Sequence, residues 1–328
     1  MRVLSAVVSA PRILIECDLQ PIQGERFQPT GFPSLGAAEF ESSRGQSLLV
    51  ESAQSIANRL EAVAWDDARG DLVACLDGLP YVATLVDGRP TDSIREAHRL
   101  NSPYLVGGLK FKTEFLARAE ISGQKAKGKA AKSDEADESS GVDIRKLAAA
   151  VFRFDPNSVL HGVFLEKIVG LARLTRVLSG FIEASGVRPV QSGGVKNDRI
   201  DPIGRKRGGA EKGFGNVPFA RTEYTASSIT AYFSIDTALL RSYGLGEDAE
   251  RLLMHLGLWK IRRFLEVGGR LRTACDFDVL STTVTRPSGF VLSSTAELEQ
   301  VIREQIARCG RAGLFAEPAK TVVPFPAD

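Results

Sequence analysis

The order of hydrophobic and polar positions predicts both strands and helices. Arg12–Leu19 alternates apolar with polar residues, which is the two-residue period of a half-buried strand. Asp248–Val267 has helical spacing instead, with one apolar face formed by Met254, Leu258, Ile261 and Leu265. The chain therefore mixes the two kinds of secondary structure.

The same patterns, together with cap and turn residues, predict the remaining elements. The predicted helices are Ser47–Trp65, a short one from Thr91 or Asp92 to Arg99, Asp143–Phe152 and Thr295–Arg308. The predicted strands are Leu178–Val190, Thr222–Asp236, Arg270–Leu280 and a hairpin of Leu72–Leu76 with Tyr81–Val86, and Gln20–Phe40 is predicted to be an ordered loop. The spacing fits neither a doubly wound sheet nor a (β/α)₈ barrel, so we expect an α+β fold with an antiparallel sheet.

One segment lacks the composition of a packed element. Residues 123–141 combine lysines and acids with almost nothing apolar, and such a segment cannot offset its ordering entropy by burial. We predict a disordered insertion there, and favour a solvated linker over a lysine tract that touches phosphates. The whole chain, residues 1–328, is expected to form a single elaborated domain that contains this insertion and ends in a C-terminal tail at 309–328.

Composition limits the compartment and the chemistry. The four cysteines lie far apart without a CxxC pair, so we expect reduced, buried thiols in a cytoplasmic protein. Only three histidines are present, which argues against a His/Cys metal site. The sequence contains no apolar run near the roughly 20 residues that span a bilayer. It also has no pattern of a secretory signal, so no membrane association is expected.

Motifs for common enzyme chemistry are missing. The sequence contains no GxSxG, GxxxxGK[ST] or HExxH and no GxGxxG opening a helix after a strand. Asp276 and Asp278 would share one face of a strand and could hold Mg²⁺, but the favoured interpretation is that they are solvated or paired with arginines such as Arg270 and Arg272. His161 is interpreted as a core histidine rather than a general base. We therefore expect no enzyme activity, no metal and no cofactor.

The strongest charge feature is the segment Gly186–Gly215. It contains seven Lys/Arg against three acids, with eight glycines, although the whole chain carries a net charge of only +2. Glycine lets a backbone approach closely, and cations attract phosphates regardless of sequence by releasing counterions. We predict a basic glycine-rich loop at 186–215 that grips a nucleic-acid backbone, with an ordinary surface insertion as the alternative.

Several blocks resemble a known family. The blocks are Gly24–Pro33, Leu49–Glu61, Glu96–Tyr104, Gly193–Arg199, Gly213–Phe219, Lys260–Leu265 and Leu271–Asp276. They resemble the RAMP-superfamily crRNA-binding backbone subunit of type I-G (formerly I-U) CRISPR-associated interference complexes. This resemblance implies an RRM-like (ferredoxin-like) antiparallel-sheet palm with finger- and thumb-like insertions.

The resemblance also implies partners and a role. Copies of such a subunit stack in a helical filament along crRNA, beside other CRISPR interference subunits. The guide is presented for pairing with target DNA, so base pairing reads sequence while the protein reads shape and charge. Either the hairpin near Asp77 or the loop at 186–215 would be the thumb that projects towards the guide.

Residue roles are expected only where these blocks match. The first candidates for RNA contacts are Lys196, Asn197 and Arg199, with Lys212 and Asn216 at the far end of the same loop. Further candidates are Arg26, Asn58, Arg262, Arg263 and Arg272, with Phe27 or Phe214 as a stacking or wedging ring.

Two rival hypotheses remain open from the sequence. The first is a metal-dependent endoribonuclease acting on guide precursor or target RNA, with carboxylates drawn from Asp198, Asp201 and Asp276, although no matching motif supports it. The second is a protein-only scaffold without affinity for RNA.

Overall fold

The computed structural model of the chain describes residues 10–32, 34–106, 109–121, 142–170, 172–204 and 209–325. Its strands in the first half are β1 (Ile13–Pro21), β2 (Gly31–Phe32), β3 (Gly36–Ser42), β4 (Gly45–Glu51), β5 (Trp65–Asp66), β6 (Asp71–Leu72), β7 (Tyr81–Val86) and β8 (Arg89–Asp92). Those in the second half are β9 (Val163–Phe164), β10 (Arg173–Leu174), β11 (Leu178–Ser185), β12 (Arg188–Lys196), β13 (Val217–Thr225), β14 (Ser228–Ile235), β15 (Gly269–Arg272), β16 (Cys275–Arg286) and β17 (Lys320–Val322).

The helices lie between these strands. They are α1 (Ala53–Ala62), α2 (Leu109–Arg118), α3 (Ile144–Phe154), α4 (Pro156–His161), α5 (Glu166–Val169), α6 (Thr237–Ser242), α7 (Glu247–Glu266) and α8 (Thr295–Arg311). The predicted insertion at 123–141 lies outside the described residues.

The main sheet has eight strands in the order β15-β16-β1-β14-β11-β4-β3-β2, all antiparallel to their neighbours. Its central strands β16, β1, β14 and β11 form a β-α-β-β-α-β unit. Helices connect β1 to β11 and β14 to β16, while β11 and β14 pair with each other although β12 and β13 are inserted between them in the chain. This is the ferredoxin-like palm, so the predicted fold class is confirmed.

Helices cover one face of this palm. Along β1, the buried residues Ile13, Ile15, Cys17 and Leu19 alternate with partly or fully exposed ones. Close approach to the helices depends on two glycines. A Cβ on Gly180 of β11 would lie 3.0 Å from Ile56 of α1, and one on Gly257 of α7 would lie 3.1 Å from Ile235 of β14. The core therefore lies between this face and the helical layer.

Several predicted elements are confirmed. The strand at Arg12–Leu19 corresponds to β1, and the three long helices correspond to α3, α7 and α8. Asp143 caps α3 by accepting from the backbone N–H groups of Arg145 and Lys146, and Ser294 forms a capping box with Glu297 on α8. All four cysteines are free and buried, as expected.

The region before α1 differs from the prediction. Residues 45–51 form β4, which pairs with β11, and the helix begins only at Ala53. Its N-cap is Ser52, whose hydroxyl accepts from the Ser55 backbone N–H, so the prediction of Ser47 as the cap is wrong. The expected loop at Gln20–Phe40 likewise contains β2 and most of β3.

The predicted hairpin around Asp77-Gly78 is also wrong. β7 pairs with β8 instead, through a turn at Asp87 and Gly88, which both have positive φ. Residues 89–92 are therefore a strand, and no α-helix follows them to Arg99. The segment predicted as a tail includes the end of α8 and also β17, which pairs in parallel with β7.

Candidate nucleic-acid interface

A long β-hairpin is inserted between the palm strands β11 and β14, and we call it the arm (residues 186–227). Its legs are β12 and β13, which pair from Arg188 opposite Thr225 out to Lys196 opposite Val217. The distal halves of both legs are exposed, so the arm projects from the body. The predicted loop at Gly186–Gly215 is thus wrong for its first leg, which is the strand β12 as far as Lys196. We call residues 197–216 the tip of the arm, of which the structure describes 197–204 and 209–216.

One face of the arm carries an aromatic ring together with two cations, Lys196 and Arg221. Directly opposed residues of an antiparallel pair point to the same side, so Lys196 with Val217, Gly194 with Phe219, and Ser192 with Arg221 share a face. The Phe219 side chain is 52% exposed and lies over Gly194, where a Cβ would come within 3.1 Å of the ring. Glycine at this position therefore lets the ring lie flat against the strand.

In the described part of the tip, a carboxylate joins the two sides. Asp198 accepts from the backbone N–H groups of Ile200 at 2.8 Å and Gly215 at 3.0 Å, and its own N–H donates to the Asn216 amide oxygen at 2.7 Å. The legs of the tip cross where Gly204 meets Gly215, and both glycines have positive φ. The tip's shape is thus set by its own hydrogen bonds.

The first-tier candidates divide accordingly. Lys196, Asn197, Arg199 and Lys212 are exposed, and among the described residues nothing pairs with the charged groups of these three cations. Asn216 is exposed as well, but its amide oxygen is engaged by Asp198. Phe214 lies in the tip and is half-buried. The structure thus brings these predicted residues together on one projecting element.

A groove at the root of the arm was not predicted from the sequence. Its volume is about 650 Å³, and its lining includes Arg44 and Arg188. Both arginines are exposed, and no described carboxylate pairs with their guanidinium groups. Arg44 lies in the β3–β4 turn, far from Arg188 along the chain, so only the fold brings these two cations together. The β11-to-β4 pairing is the contact that does so.

Arg26 contributes to the same root. Its guanidinium lies 3.0 Å from Glu223, a buried carboxylate that also binds Arg221 at 2.7 Å. The loop that carries Arg26 is fixed because Phe27 and Tyr224 exchange backbone hydrogen bonds of 2.9 Å in both directions. Arg26 is thus held beside the arm, with more than half of its side chain exposed.

Two predicted RNA-contacting residues are instead part of the framework. Phe27 is 1% exposed and packs edge-on against Phe277, with ring centroids 5.7 Å apart, so the expectation that it stacks on a base is wrong. Arg272 donates to the carbonyls of Gln28 and Val50 at 3.2 Å and forms an ion pair with buried Glu51. Its donors are used inside the protein rather than towards a phosphate.

The remaining candidates lie in the helical layer and not on the arm. Asn58 and Arg263 are exposed on α1 and α7, and Arg262 on α7 pairs with Glu266 at 3.3 Å. Lys260 of α7 lies in a family-like block but is fully buried, where its ammonium binds Asn157 and lies 3.1 Å from His161 Nε2. The structure therefore does not join these residues to the arm.

The carboxylates named for the nuclease alternative lie in two places. Asp201 is in the arm tip with Asp198, to which its N–H donates at 3.1 Å, and Asp276 is outside the arm. Asp198 fastens the arm tip, whereas Asp276 lies on β16 and pairs with Arg270 at 3.7 Å, as the favoured interpretation expected. His161 is 1% exposed and hydrogen-bonded in the core. Among the described residues, no group of three His, Cys, Asp or Glu side chains is placed to hold a metal ion. No helix in the described part of the chain could cross a membrane.

The uncovered face of the palm carries an aromatic pair that was also missed. Phe181 and Tyr232 are opposite each other on β11 and β14 and stack with ring centroids 5.2 Å apart. Three carboxylates, those of Glu16, Asp18 and Glu183, belong to the same side of the sheet by strand alternation. This face thus combines rings that could stack on bases with charges that repel phosphates.

Comparison with known proteins identifies the family. The sequence model described as "CRISPR-associated protein GSU0053" matches residues 13–189, which is more than half of the chain. The chain belongs to this CRISPR-associated family. Family membership and the ferredoxin-like palm agree with the RAMP-superfamily resemblance seen in the sequence, while the type I-G subtype stays a prediction. Among curated proteins, none matches the chain in sequence.

Two matches among solved structures come from CRISPR proteins. A chain of a structure titled "CRISPR RNA-guided surveillance complex, pre-nicking" is 13% identical, with 92% of this chain and 87% of that chain covered and a TM-score of 0.43. The crystal structure of Thermofilum pendens Csc2 is 11% identical, with 91% and 77% covered and a TM-score of 0.32.

Proposed function

We propose that this CRISPR-associated protein is a non-catalytic subunit that coats a guide RNA and holds its sugar-phosphate backbone with the arm. The observation that carries the proposal is a projecting hairpin that combines the unpaired cations Lys196, Arg199 and Lys212 with glycines and the exposed ring of Phe219. Membership of a CRISPR-associated family gives the biological setting.

The arrangement favours gripping a backbone over reading bases. Lys196, Arg199 and Lys212 offer positive charge without a fixed partner, and the glycines allow an RNA strand to approach the hairpin closely. Phe219 can stack on any base, because every base has a π-face. No recognition helix is needed for this mode of binding, so the affinity is expected to be independent of sequence.

The proposal includes the assembly expected from the family resemblance. Copies of the chain would stack head to tail along crRNA through a heterologous contact, which extends a filament instead of closing it. Other interference subunits would join them in the cytoplasm, and the guide would pair with target DNA. The arm is our candidate for the projecting thumb, since the segment near Asp77 does not form a hairpin.

The test is the salt dependence of single-stranded RNA binding by the full chain. Lys196→Ala with Arg199→Ala removes two phosphate contacts, so the slope of log K against log salt should flatten by roughly 1.4, at about 0.7 per contact. Arg89→Ala with Arg311→Ala is the matched control, because both arginines are exposed and the net charge changes equally.

The proposal predicts the same loss for every RNA sequence and an unchanged slope in the control. An unchanged slope in the arm variant, or a loss confined to one RNA sequence, would contradict it. Absence of any salt-sensitive RNA affinity in the folded parent would favour the protein-only scaffold.

A further inference from the structure

A second basic cavity lies far from the arm, and we call it the distal pocket. It has a volume of about 440 Å³ and is lined in part by His98, Arg99, Phe164, Lys167, Arg173 and Arg176. Its one acidic lining residue among those described is Glu166. Arg99 is far from Arg173 and Arg176 along the chain, so only the fold brings these arginines together. Its volume lies within the range of small-ligand sites.

The pocket and the arm are at opposite ends of the palm. Arg176 comes just before the first residue of β11, and the arm begins just after the last residue, Ser185. The eight residues of this strand separate the two regions by about 23 Å, at roughly 3.3 Å per residue. One nucleotide therefore cannot occupy both regions.

The two half-buried arginines, Arg99 and Arg176, are held in place before any ligand binds. Arg99 makes a bidentate pair with Glu61, at 2.6 and 2.8 Å, and donates to the Gly162 carbonyl at 3.0 Å. Arg176 donates to the carbonyls of His161 at 3.3 Å and Ala53 at 2.9 Å. No described carboxylate forms an ion pair with Arg176, so its half-buried charge is only partly compensated.

The rim of the pocket adds two cations, Arg173 and Lys167, that form no ion pair within the described part of the protein. Arg173 and Lys167 are exposed, and in the described ranges no hydrogen bond or ion pair engages their charged groups. Phe164 beside them is 44% exposed, which is unusual for a phenylalanine next to a cavity. Cations that converge near an exposed ring match the phosphate and the base of a nucleotide.

We propose that the distal pocket is a nucleotide-binding site separate from the arm, in which Arg173, Lys167 and Arg176 hold a phosphate and Phe164 stacks on the base. The nucleotide is either a free mononucleotide or the end of an RNA strand, since both present the same chemistry. Glu61 and the backbone carbonyls orient the arginines and do not contact the ligand.

The test measures binding of 5′-AMP, adenosine and inorganic phosphate to the full chain by calorimetry at low salt. Saturable binding of 5′-AMP, at least tenfold tighter than adenosine, is expected because the phosphate meets three cations. Arg173→Ala with Lys167→Ala should weaken 5′-AMP binding about tenfold or more. Phe164→Ala should weaken 5′-AMP binding but leave inorganic phosphate binding unchanged.

Two further variants separate this proposal from the arm. Arg89→Ala with Arg311→Ala, the control of equal charge, should bind 5′-AMP like the parent, and so should Lys196→Ala with Arg199→Ala. The proposal can thus fail while the arm still binds RNA, or hold when the arm does not. A trinucleotide with a 5′-phosphate that binds tighter than 5′-AMP would identify a strand end as the ligand, and equal affinity a free nucleotide.

Two kinds of result would overturn the proposal. One is the absence of saturable 5′-AMP binding up to about 10 mM, or binding that the Arg173 and Lys167 substitutions leave unchanged. The other is competition by a hexaglutamate peptide as effective as that by 5′-AMP, which would identify an acidic protein segment as the ligand.

Discussion

Arg272 allows the sharpest test of whether a cation in a family-like block serves the fold or the RNA. Its guanidinium pairs with Glu51, whose side chain is only 1% exposed, and donates to two backbone carbonyls. In Arg272→Ala, that carboxylate stays buried with one neighbouring cation, Arg59, at 3.7 Å. The substitution should therefore destabilise the fold without altering the cations of the arm, which are the proposed RNA contacts.

The magnitude follows from these contacts. Removing one partner of a buried ion pair costs roughly 3–5 kcal/mol. The lower end applies here, because the Arg272 side chain is 26% exposed and water can enter the space it leaves. The Val50 carbonyl also keeps a second donor, the Thr30 backbone N–H at 2.9 Å. We expect a loss of about 3 kcal/mol in the free energy of unfolding, which lowers the urea midpoint by about 1 M.

Urea denaturation and RNA titration of the same samples decide the question. Arg263→Ala is the control, because that arginine is exposed on α7 and its loss should change stability by about 0.5 kcal/mol or less. Glu51→Gln combined with Arg272→Met should recover part of the stability by removing the buried charge. The reasoning is refuted if Arg272→Ala keeps the parent's stability and instead weakens RNA binding.

Three further substitutions test other parts of the structure. Gly204→Ala places a Cβ 3.0 Å from a backbone carbonyl and should weaken RNA binding more than Gly209→Ala, which has a similar φ but open space; equal RNA affinities would contradict this. Burial lowers the pKa of Lys260 to about 8. The folded chain thus releases this proton above pH 8 while the unfolded chain keeps it. The free energy of unfolding of the parent, relative to that of Lys260→Met, should therefore rise by up to about 3 kcal/mol between pH 8 and 10. Urea melts in which the difference between parent and variant stays constant with pH would refute this. Asp276→Ala should leave labelled RNA uncleaved in Mg²⁺, like the parent; cleavage by the parent that this variant loses would restore the nuclease hypothesis.

The palm was predictable where one local period describes one buried face. β1 alternates strictly, and α7 and α8 repeat their apolar residues at helical spacing with clear end signals. In these segments burial follows the period of the element itself, so no knowledge of distant contacts was needed. The predicted boundaries differ from the observed ones by only a few residues.

Segments whose structure depends on distant partners were not predictable. Leu48 and Val50 are both fully buried in β4, but so short an apolar run fits a helix equally well, and pairing with β11 decides between the two. Asp77-Gly78 and Asp87-Gly88 have the same local signal for a hairpin turn in the sequence. Only Asp87-Gly88 has positive φ at both residues, as a two-residue hairpin of this type requires, whereas Asp77 has a φ of −55°.

The candidate site was predictable by residue type but not by pairing. The sequence shows that residues 186–215 are basic and rich in glycine, and the structure places Lys196, Arg199 and Lys212 free on the arm. The sequence cannot show that Arg272 pairs with Glu51, because the two residues are 221 positions apart in the chain. The same limit hid Arg44, which reaches the root of the arm only through sheet pairing.

The two aromatic surfaces of the palm and arm differ in charge, and this difference supports a route for RNA. On the uncovered sheet face, Glu16 is opposite Tyr232, and Glu183 is on the same strand as Phe181. A phosphate brought close to each carboxylate meets repulsion of about 1 kcal/mol at 4 Å in water, and more where the site excludes solvent. Phe219 has Lys196 and Arg221 on its own face instead. We infer that a ribose-phosphate strand follows the arm and avoids the sheet, even though an uncovered sheet with stacked rings is the surface that RRM domains use for RNA.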